Sequence, residues 1–289
     1  MKNFILLFLF TLSATAQIKG VVKDSITKKP IAYVSVWVEN KSMGVSTEAD
    51  GTFDINSSSE VKLQFSILGY KNKVAKINKD GYYYLVPEDL IIEEVRIKNK
   101  KNSKSIKIGY SNKSNVSHLQ GKYPQILAKK FDYDSIYKAT SYLKEIEVFT
   151  KSPIEDAVFK LRILEFDSIK QLPGKSLISE NILVKVKKGQ KKNVIDVSQY
   201  NIEFPKNGIV IGVENIIIEA NKYLYSPKNT SINNYSYAPA VVMNYVDDVK
   251  SYMFLNLSWL KREKYTLSYG KLKGQKKVLE PAINITLTN

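Results

Sequence analysis

Gln17-Ile-Lys-Gly-Val-Val-Lys-Asp24, Lys29-Pro-Ile-Ala-Tyr-Val-Ser-Val-Trp-Val38, Gly44-Val-Ser-Thr-Glu-Ala-Asp-Gly-Thr-Phe-Asp-Ile55 and Ile67-Leu-Gly-Tyr70 make up the stretch on which the fold turns. It reads as short alternating strands separated by turn residues. Val34, Val36 and Val38 fall on one face of an extended segment, and Tyr33, Ser35 and Trp37 on the other. That period of two is the mark of a half-buried antiparallel strand. Asp50-Gly51 and Asp80-Gly81 are hairpin signals, because glycine accepts positive φ without steric cost. Pro30 stands just ahead of a strand, where its missing N–H is harmless. Strands are expected near 17–23, 31–38, 45–48, 52–56, 61–67, 71–77, 82–86 and 91–97.

Upstream, residues 1–16 carry one positive charge at Lys2, an apolar run from Phe4 to Leu12 and the small-x-small site Ala14-Thr15-Ala16. This is the pattern of a cleavable export signal, and the run falls short of the roughly 20 residues needed to span a bilayer. No transmembrane segment is expected in the mature chain. The chain has no cysteine, which excludes a disulfide framework, a thiol nucleophile and a lipid anchor on an N-terminal cysteine. An exported protein without disulfides must be held by core burial, and the remaining length suffices for two cores. Nineteen tyrosines and the many Val and Ile residues give an all-β composition.

Gly20-Val-Val-x-Asp24, Lys29-Pro-Ile-x-Tyr-Val-x-Val36, Gly44-x-x-Thr47, Asp50-Gly51-x-Phe53 and Ile67-x-Gly69-Tyr70 resemble the carboxypeptidase-regulatory-like domain over about residues 17–97. The resemblance implies a transthyretin-like, seven-stranded β-sandwich without catalytic residues, common in exported proteins of Gram-negative bacteria. The same domain precedes outer-membrane receptors. Residues after 97, however, lack the alternating lipid-facing strands and aromatic girdles of a barrel.

Downstream, residues 95–131 hold ten Lys or Arg and no Asp or Glu, in a chain of formal net charge +16. Their first part, 98–118, rich in Asn, Ser and Gly, reads as a solvated basic linker. Arg96, Lys98, Lys100, Lys101, Lys104 and Lys107 are the candidate contacts for an anionic partner such as lipopolysaccharide. Glutamine at all ten basic positions is expected to remove such binding and leave both folds intact. Nucleic acid is not an expected partner of an exported protein, and the segment holds no stacking platform.

From 119 the strands lengthen: 142–150, 157–166, 181–188, 193–198, 208–219, 238–245, 252–260 and 281–288, with a turn at Leu172-Pro173-Gly174. Leu161, Ile163 and Glu165 alternate with Arg162, Leu164 and Phe166, so both faces of that strand are partly apolar, as in the interior strand of a sandwich. Tyr142–Thr150, Lys160–Leu164, Val194–Ser198 and Glu280–Thr288 are similar to a C-terminal domain often paired with regulatory-like domains, which has no assigned activity. A larger jelly-roll-like sandwich of about eight strands over 119–289 is expected.

Catalytic chemistry finds little footing. His118 is the single histidine and falls in the expected linker, an unsuitable place for a triad base. One histidine without cysteine makes a poor zinc site. Asp132-x-Asp134 and Asp247-Asp248 lack the spacing of a calcium loop and read as turn or edge carboxylates. No phosphate-cradling glycine loop is present. No catalytic residue, metal or cofactor is expected.

Binding has better candidates. Flat aromatic faces beside hydrogen-bonding groups suit carbohydrate. Trp37, Trp259 and the run Tyr223, Tyr225, Tyr235 and Tyr237 supply such faces. Trp259 alternates with Phe254 and Leu255 as a core residue would; Trp37 lies opposite the valine face, either packed or exposed; the tyrosine run falls in a long loop. Separately, Asp24-Ser25-Ile26, Asp134-Ser135-Ile136 and Asp167-Ser168-Ile169 resemble an Asp-Ser/Thr-aliphatic acceptor of O-glycosylation in some exported bacterial proteins. The expected protein is therefore a non-enzymatic component of the cell envelope, periplasmic or outer-membrane-associated. It binds or scaffolds an anionic or glycan partner, or else docks onto an outer-membrane protein through a sheet edge.

Overall fold

The computed structural model describes residues 17–57, 61–88, 104–110, 116–225, 234–268 and 270–289. The export signal expected at 1–16, the strand expected at 91–97 and the residues Arg96, Lys98, Lys100 and Lys101 lie outside the described residues. The protein is all-β, and no helix among the described residues is long and apolar enough to cross a membrane.

Seven strands build the first unit: β1 (Gln17–Asp24), β2 (Ser35–Val38), β3 (Gly44–Ser46), β4 (Thr52–Asn56), β5 (Lys62–Ser66), β6 (Lys73–Lys76) and β7 (Tyr82–Leu85). They form two sheets, β4-β1-β7 and β3-β2-β5-β6. Alternation along β1 sends Ile18, Gly20 and Val22 inward, to meet Val36, Val38, Phe53, Leu63, Phe65 and Tyr83. Phe65 and Tyr83 lie 4.7 Å apart between ring centres. Gly20 is required beside them, because a Cβ there would come within 2.6 Å of the Phe53 ring. Both Asp-Gly turns form, with Gly51 at φ 78° and Gly81 at φ 71°. The second strand begins four residues later than expected, at Ser35, because Tyr33 turns the chain in the left-handed region at φ 61°.

The second unit comprises β8 (Ser105–Ile108), β9 (Ser117–Gln120), β10 (Ile126–Phe131), β11 (Tyr142–Ser152), β12 (Ala157–Asp167), β13 (Leu172–Ser176), β14 (Ile182–Val186) and β15 (Gly189–Asp196). It continues through β16 (Ile209–Asn215), β17 (Lys222–Tyr225), β18 (Asn234–Val246), β19 (Ser251–Leu255), β20 (Ser258–Lys261), β21 (Tyr265–Thr266), β22 (Lys276–Pro281) and β23 (Ile283–Thr288). Among the described residues its two sheets hold seven and nine strands, with β12, β16 and β10 central in one and β18, β11 and β23 central in the other. Between them lies a core that includes Leu127, Ile146, Phe159, Leu161, Ile211, Val241 and Ile285.

Three expectations are corrected. The segment 98–118 is not a free linker where it is described: β8 adds to the last strand, β23, and β9 pairs with β18. Its alternating Ile106 and Ile108 pack against the second core, an apolar period hidden by the surrounding lysines. Leu172-Pro173-Gly174 is not a turn but the start of β13, paired with β12. The expected strand 252–260 is a hairpin, folded at Asn256 (φ 49°) and Leu257 (φ 60°), a two-residue turn with both central residues at positive φ. The hairpin sets Trp259 directly across from Phe254.

Candidate functional site

The two units meet along the outer face of the seven-stranded sheet. On β12 the even-numbered residues Lys160, Arg162, Leu164 and Phe166 point away from the sandwich core, as do Gly212 and Glu214 on β16. Against this face lies the side of β2 that carries Ser35 and Trp37. All four residues of β2 are buried, so the strand is covered on both sides rather than half-exposed.

Glu214 is the hub of this contact. Its Oε1 accepts from Lys160 Nζ at 2.5 Å and from Ser35 Oγ of the first unit at 3.0 Å. Its Oε2 accepts from Arg162 Nε and Nη2, each at 2.5 Å. Lys160 also donates to the carbonyl of Tyr33 at 2.9 Å, so the left-handed turn at Tyr33 aims a carbonyl across the boundary. Arg162 reaches Asn181 at 3.2 Å, and Asn181 donates to the Leu68 carbonyl of the first unit at 3.2 Å. Burial pulls the Lys160 ammonium down to about 8, with Glu214 opposing that fall. Burial alone would raise the Glu214 carboxyl, but the Arg162 and Lys160 charges outweigh it and hold the group down to about 2. The pair is therefore ionic near neutrality. Further along, the Ser46 N–H donates to the Ile217 carbonyl, and the Ile217 N–H to Ser46 Oγ, both at 3.0 Å.

Beside this ionic seam opens a cleft of about 1500 Å³. The residues that line it include Arg162 and Glu214 and the aromatic residues Trp37, Phe254, Trp259, Tyr142 and Tyr200. Phe254 and Trp259, a cross-strand pair, hold their ring centres 5.2 Å apart, and both are half-buried. Trp37 is only 2% exposed and packs on Tyr123 with ring centres 6.0 Å apart. Both tryptophans of the chain thus line one cleft. Charged side chains along it nearly balance: Arg162, Lys175 and Lys206 against Glu88, Glu165, Glu203 and Glu214.

The structure separates the other residues singled out in the sequence. Tyr223 and Tyr225 stand on one face of the β17–β18 hairpin, and Tyr235 and Tyr237 on the opposite face. No single tyrosine platform results, since paired residues share a face and Tyr223 and Tyr225 stand opposite Ser236 and Asn234, whereas Tyr235 and Tyr237 stand opposite Leu224 and Lys222. Tyr235 is flanked by the Lys122 and Lys222 ammonium groups at 4.2 and 5.0 Å. Tyr237 is buried, and its hydroxyl is pushed up to about 12, first by burial and then by Tyr235 and the carboxylates of Glu219 and Glu48. The loop 226–233 between these strands lies outside the described residues. Lys104 is exposed, whereas Lys107 pairs at 2.7 Å with Glu147, which Lys192 also contacts at 3.2 Å.

His118 sits in strand β9, paired with Val241 of β18, not in a linker. Burial pulls its imidazole below the ordinary range, helped by the Arg262 charge. Asp132 is held by Lys130 at 2.7 Å and Lys250 at 2.8 Å, Asp134 caps a short 3-10 turn, and Asp247 pairs with Lys277 at 2.9 Å. Each of these three carboxylates has a structural partner. Among the described residues no group of three or more His, Asp or Glu is placed to hold a metal ion.

Sequence reasoning passed over Lys160, Arg162 and Glu214. Their signal was faint but present: Lys160 and Arg162 two apart on one face of a strand rich in aliphatics, and Glu214 closing another aliphatic run, where a covered polar contact can keep them.

Residues 18–97 match the CarboxypepD_reg-like domain family, whose domains are regulatory and non-catalytic β-sandwiches. The match ends before the second sandwich, the unit that supplies Lys160, Arg162, Glu214 and Trp259. No curated protein matches the chain.

Proposed function

We propose that this CarboxypepD_reg-like domain and the larger sandwich behind it form a non-catalytic binding protein of the cell envelope, which holds a glycan segment in the cleft between its two units. The observation that carries the reading is the cleft itself. It is lined by half-buried Trp259 and Phe254 and by polar side chains that include Asn72, Glu165 and Lys175. Ligand sites gather at domain boundaries with apolar walls and a few placed polar groups. An aromatic face next to polar groups suits a sugar ring, which offers C–H bonds on its face and hydroxyls at its edge. The near balance of acidic and basic side chains in the cleft favours a neutral glycan over a polyanion. Docking of a partner strand onto the outer edge of β7 is disfavoured. There Asn78 Nδ2 already donates to the Tyr82 carbonyl at 3.2 Å and Lys73 Nζ to the Tyr84 carbonyl at 2.8 Å.

The two tryptophans make the test direct, because both line the cleft. Titration with neutral envelope oligosaccharides should change the intrinsic emission of the intact protein saturably and with little dependence on salt. Trp259→Ala should weaken binding by roughly thirtyfold, the cost of about 2 kcal/mol that an aromatic anchor carries. Emission that stays constant across such a glycan panel, or binding that Trp259→Ala leaves unchanged, overturns the reading.

A further inference from the structure

Ile26, Ile136 and Ile169 are 74%, 63% and 94% exposed, and among the described residues no other isoleucine is left so open to water. Each is the third residue of an Asp-Ser-Ile triplet. One triplet lies in the first unit and two in the second, so common ancestry of a fold does not account for the coincidence.

The local geometry repeats as well. Asp24 is the last residue of β1, and Asp167 the last of β12. Asp24 Oδ1 accepts from the N–H groups of Ile26 and Thr27, both at 2.7 Å. Asp167 Oδ1 accepts from Ile169 at 3.0 Å and Lys170 at 2.9 Å. Four residues after each Asp the chain enters the left-handed region, at Lys28 (φ 61°) and Gln171 (φ 56°). The side chains of those two residues reach back to the carbonyls of Ser25 and Ser168, each at 2.7 Å. Asp134 makes the corresponding contact to the Ile136 N–H at 3.0 Å, opening a 3-10 turn.

Turn chemistry explains the aspartates, which close the turn through their carboxylates. It does not explain the isoleucines. A β-branched aliphatic side chain at a turn apex forgoes the roughly 1.5–3 kcal/mol that burial would bring, and a polar residue would serve the turn better. Three such side chains, each next to a serine held on an ordered turn, are open to contact by another protein.

We infer that Ser25, Ser135 and Ser168 are acceptors of O-linked glycosyl transfer, recognised in trans through the exposed isoleucine that follows each. The serine Oγ attacks the anomeric carbon of a sugar carried on a phosphate or diphosphate leaving group. A new carbon–oxygen bond forms, and the bond from the anomeric carbon to the phosphate oxygen breaks with its electron pair leaving on the phosphate. The hydroxyl proton passes to a base on the transferase. The chemistry of the turn selects a sugar over a phosphoryl group. Backbone N–H groups, Thr27 and Lys170 first, hold the Asp24 and Asp167 carboxyls below their ordinary range, so both are ionised. A phosphoserine beside them would set like charges together; a neutral sugar does not.

The test is peptide mapping by mass spectrometry on the full chain purified from its native envelope. Hexose-containing additions are expected on the peptides that carry Ser25, Ser135 and Ser168. Ser168→Ala should abolish the addition at that site alone. Ile169→Asn, which keeps the hydroxyl and lies on the surface, should reduce occupancy at Ser168 at least tenfold. Unmodified peptides, or phosphate at these serines, overturn the inference. Full occupancy of Ser168 in the Ile169→Asn protein overturns the recognition through isoleucine. None of these outcomes bears on the cleft, which none of the three serines lines.

Discussion

Glu214 concentrates the cost and the use of burying charge. Its carboxylate is held by Lys160, Arg162 and Ser35 at once, which satisfies both oxygens inside a covered boundary. Removing one partner of such a cluster leaves charge buried without compensation and costs about 3–5 kcal/mol. Glu214→Gln is expected to lower stability by that amount in chemical denaturation at neutral pH. The same residue gives a pH signature. Its folded value of about 2 lies below the ordinary 4.5, so the folded state binds fewer protons than the unfolded state between those values. The stabilisation is complete above pH 4.5 and lost as pH falls toward 2. Denaturation midpoints followed from pH 6 down to about 2 should fall less steeply in Glu214→Gln than in the natural protein. Equal slopes would show that Glu214 titrates alike in both states.

At the scale of elements, burial divides the basic run at 95–131. Successive side chains of β10 alternate between the sandwich core and the opposite sheet face, and Lys129 falls on the core side with Leu127 and Phe131. There it pairs with Glu280 of β22 at 2.6 Å, both side chains at most 7% exposed, and so ties the two sheets together. Glutamine at all ten basic positions therefore would not leave the fold intact, contrary to the expectation from charge alone. Lys129→Gln by itself should cost about 3–5 kcal/mol, from the buried Glu280 carboxylate left unpaired, read as a drop in the denaturant midpoint. Lys104→Gln, at an exposed position, should shift that midpoint by less than about 0.5 kcal/mol. Lysine counts were legible in the sequence. The alternation that buries one lysine and solvates its neighbour depended on strand boundaries, which composition does not reveal.

For the whole molecule, the ionic seam, the Trp37–Tyr123 packing and the two hydrogen bonds between Ser46 and Ile217 couple the two units. A scanning calorimeter should record one cooperative transition for the intact chain. In Glu214→Gln the transition should broaden or split as the coupling weakens. Two separate transitions in the natural protein would show that the seam contributes little.

The sequence by itself determined the order of strands β1 to β7 in the first sandwich, its Asp-Gly turns and its family, though not where β2 begins. Those features rest on local rules: a two-residue period, glycine at positive φ and an ordered set of short motifs, all readable along the chain. It determined the alternating apolar faces of β12 for the same reason. Only the tertiary structure decided that Trp37 is covered, that β8 and β9 belong to the second sandwich, that the tyrosines divide between two faces, and that Lys160, Arg162 and Glu214 meet Ser35. These depend on contacts between residues far apart in sequence, such as Ser105 and Thr288 or Ser35 and Glu214. An apolar or charged residue on a strand's outer face reads the same in sequence whether water or a second domain lies against it; only the packing of one unit on the other settles which.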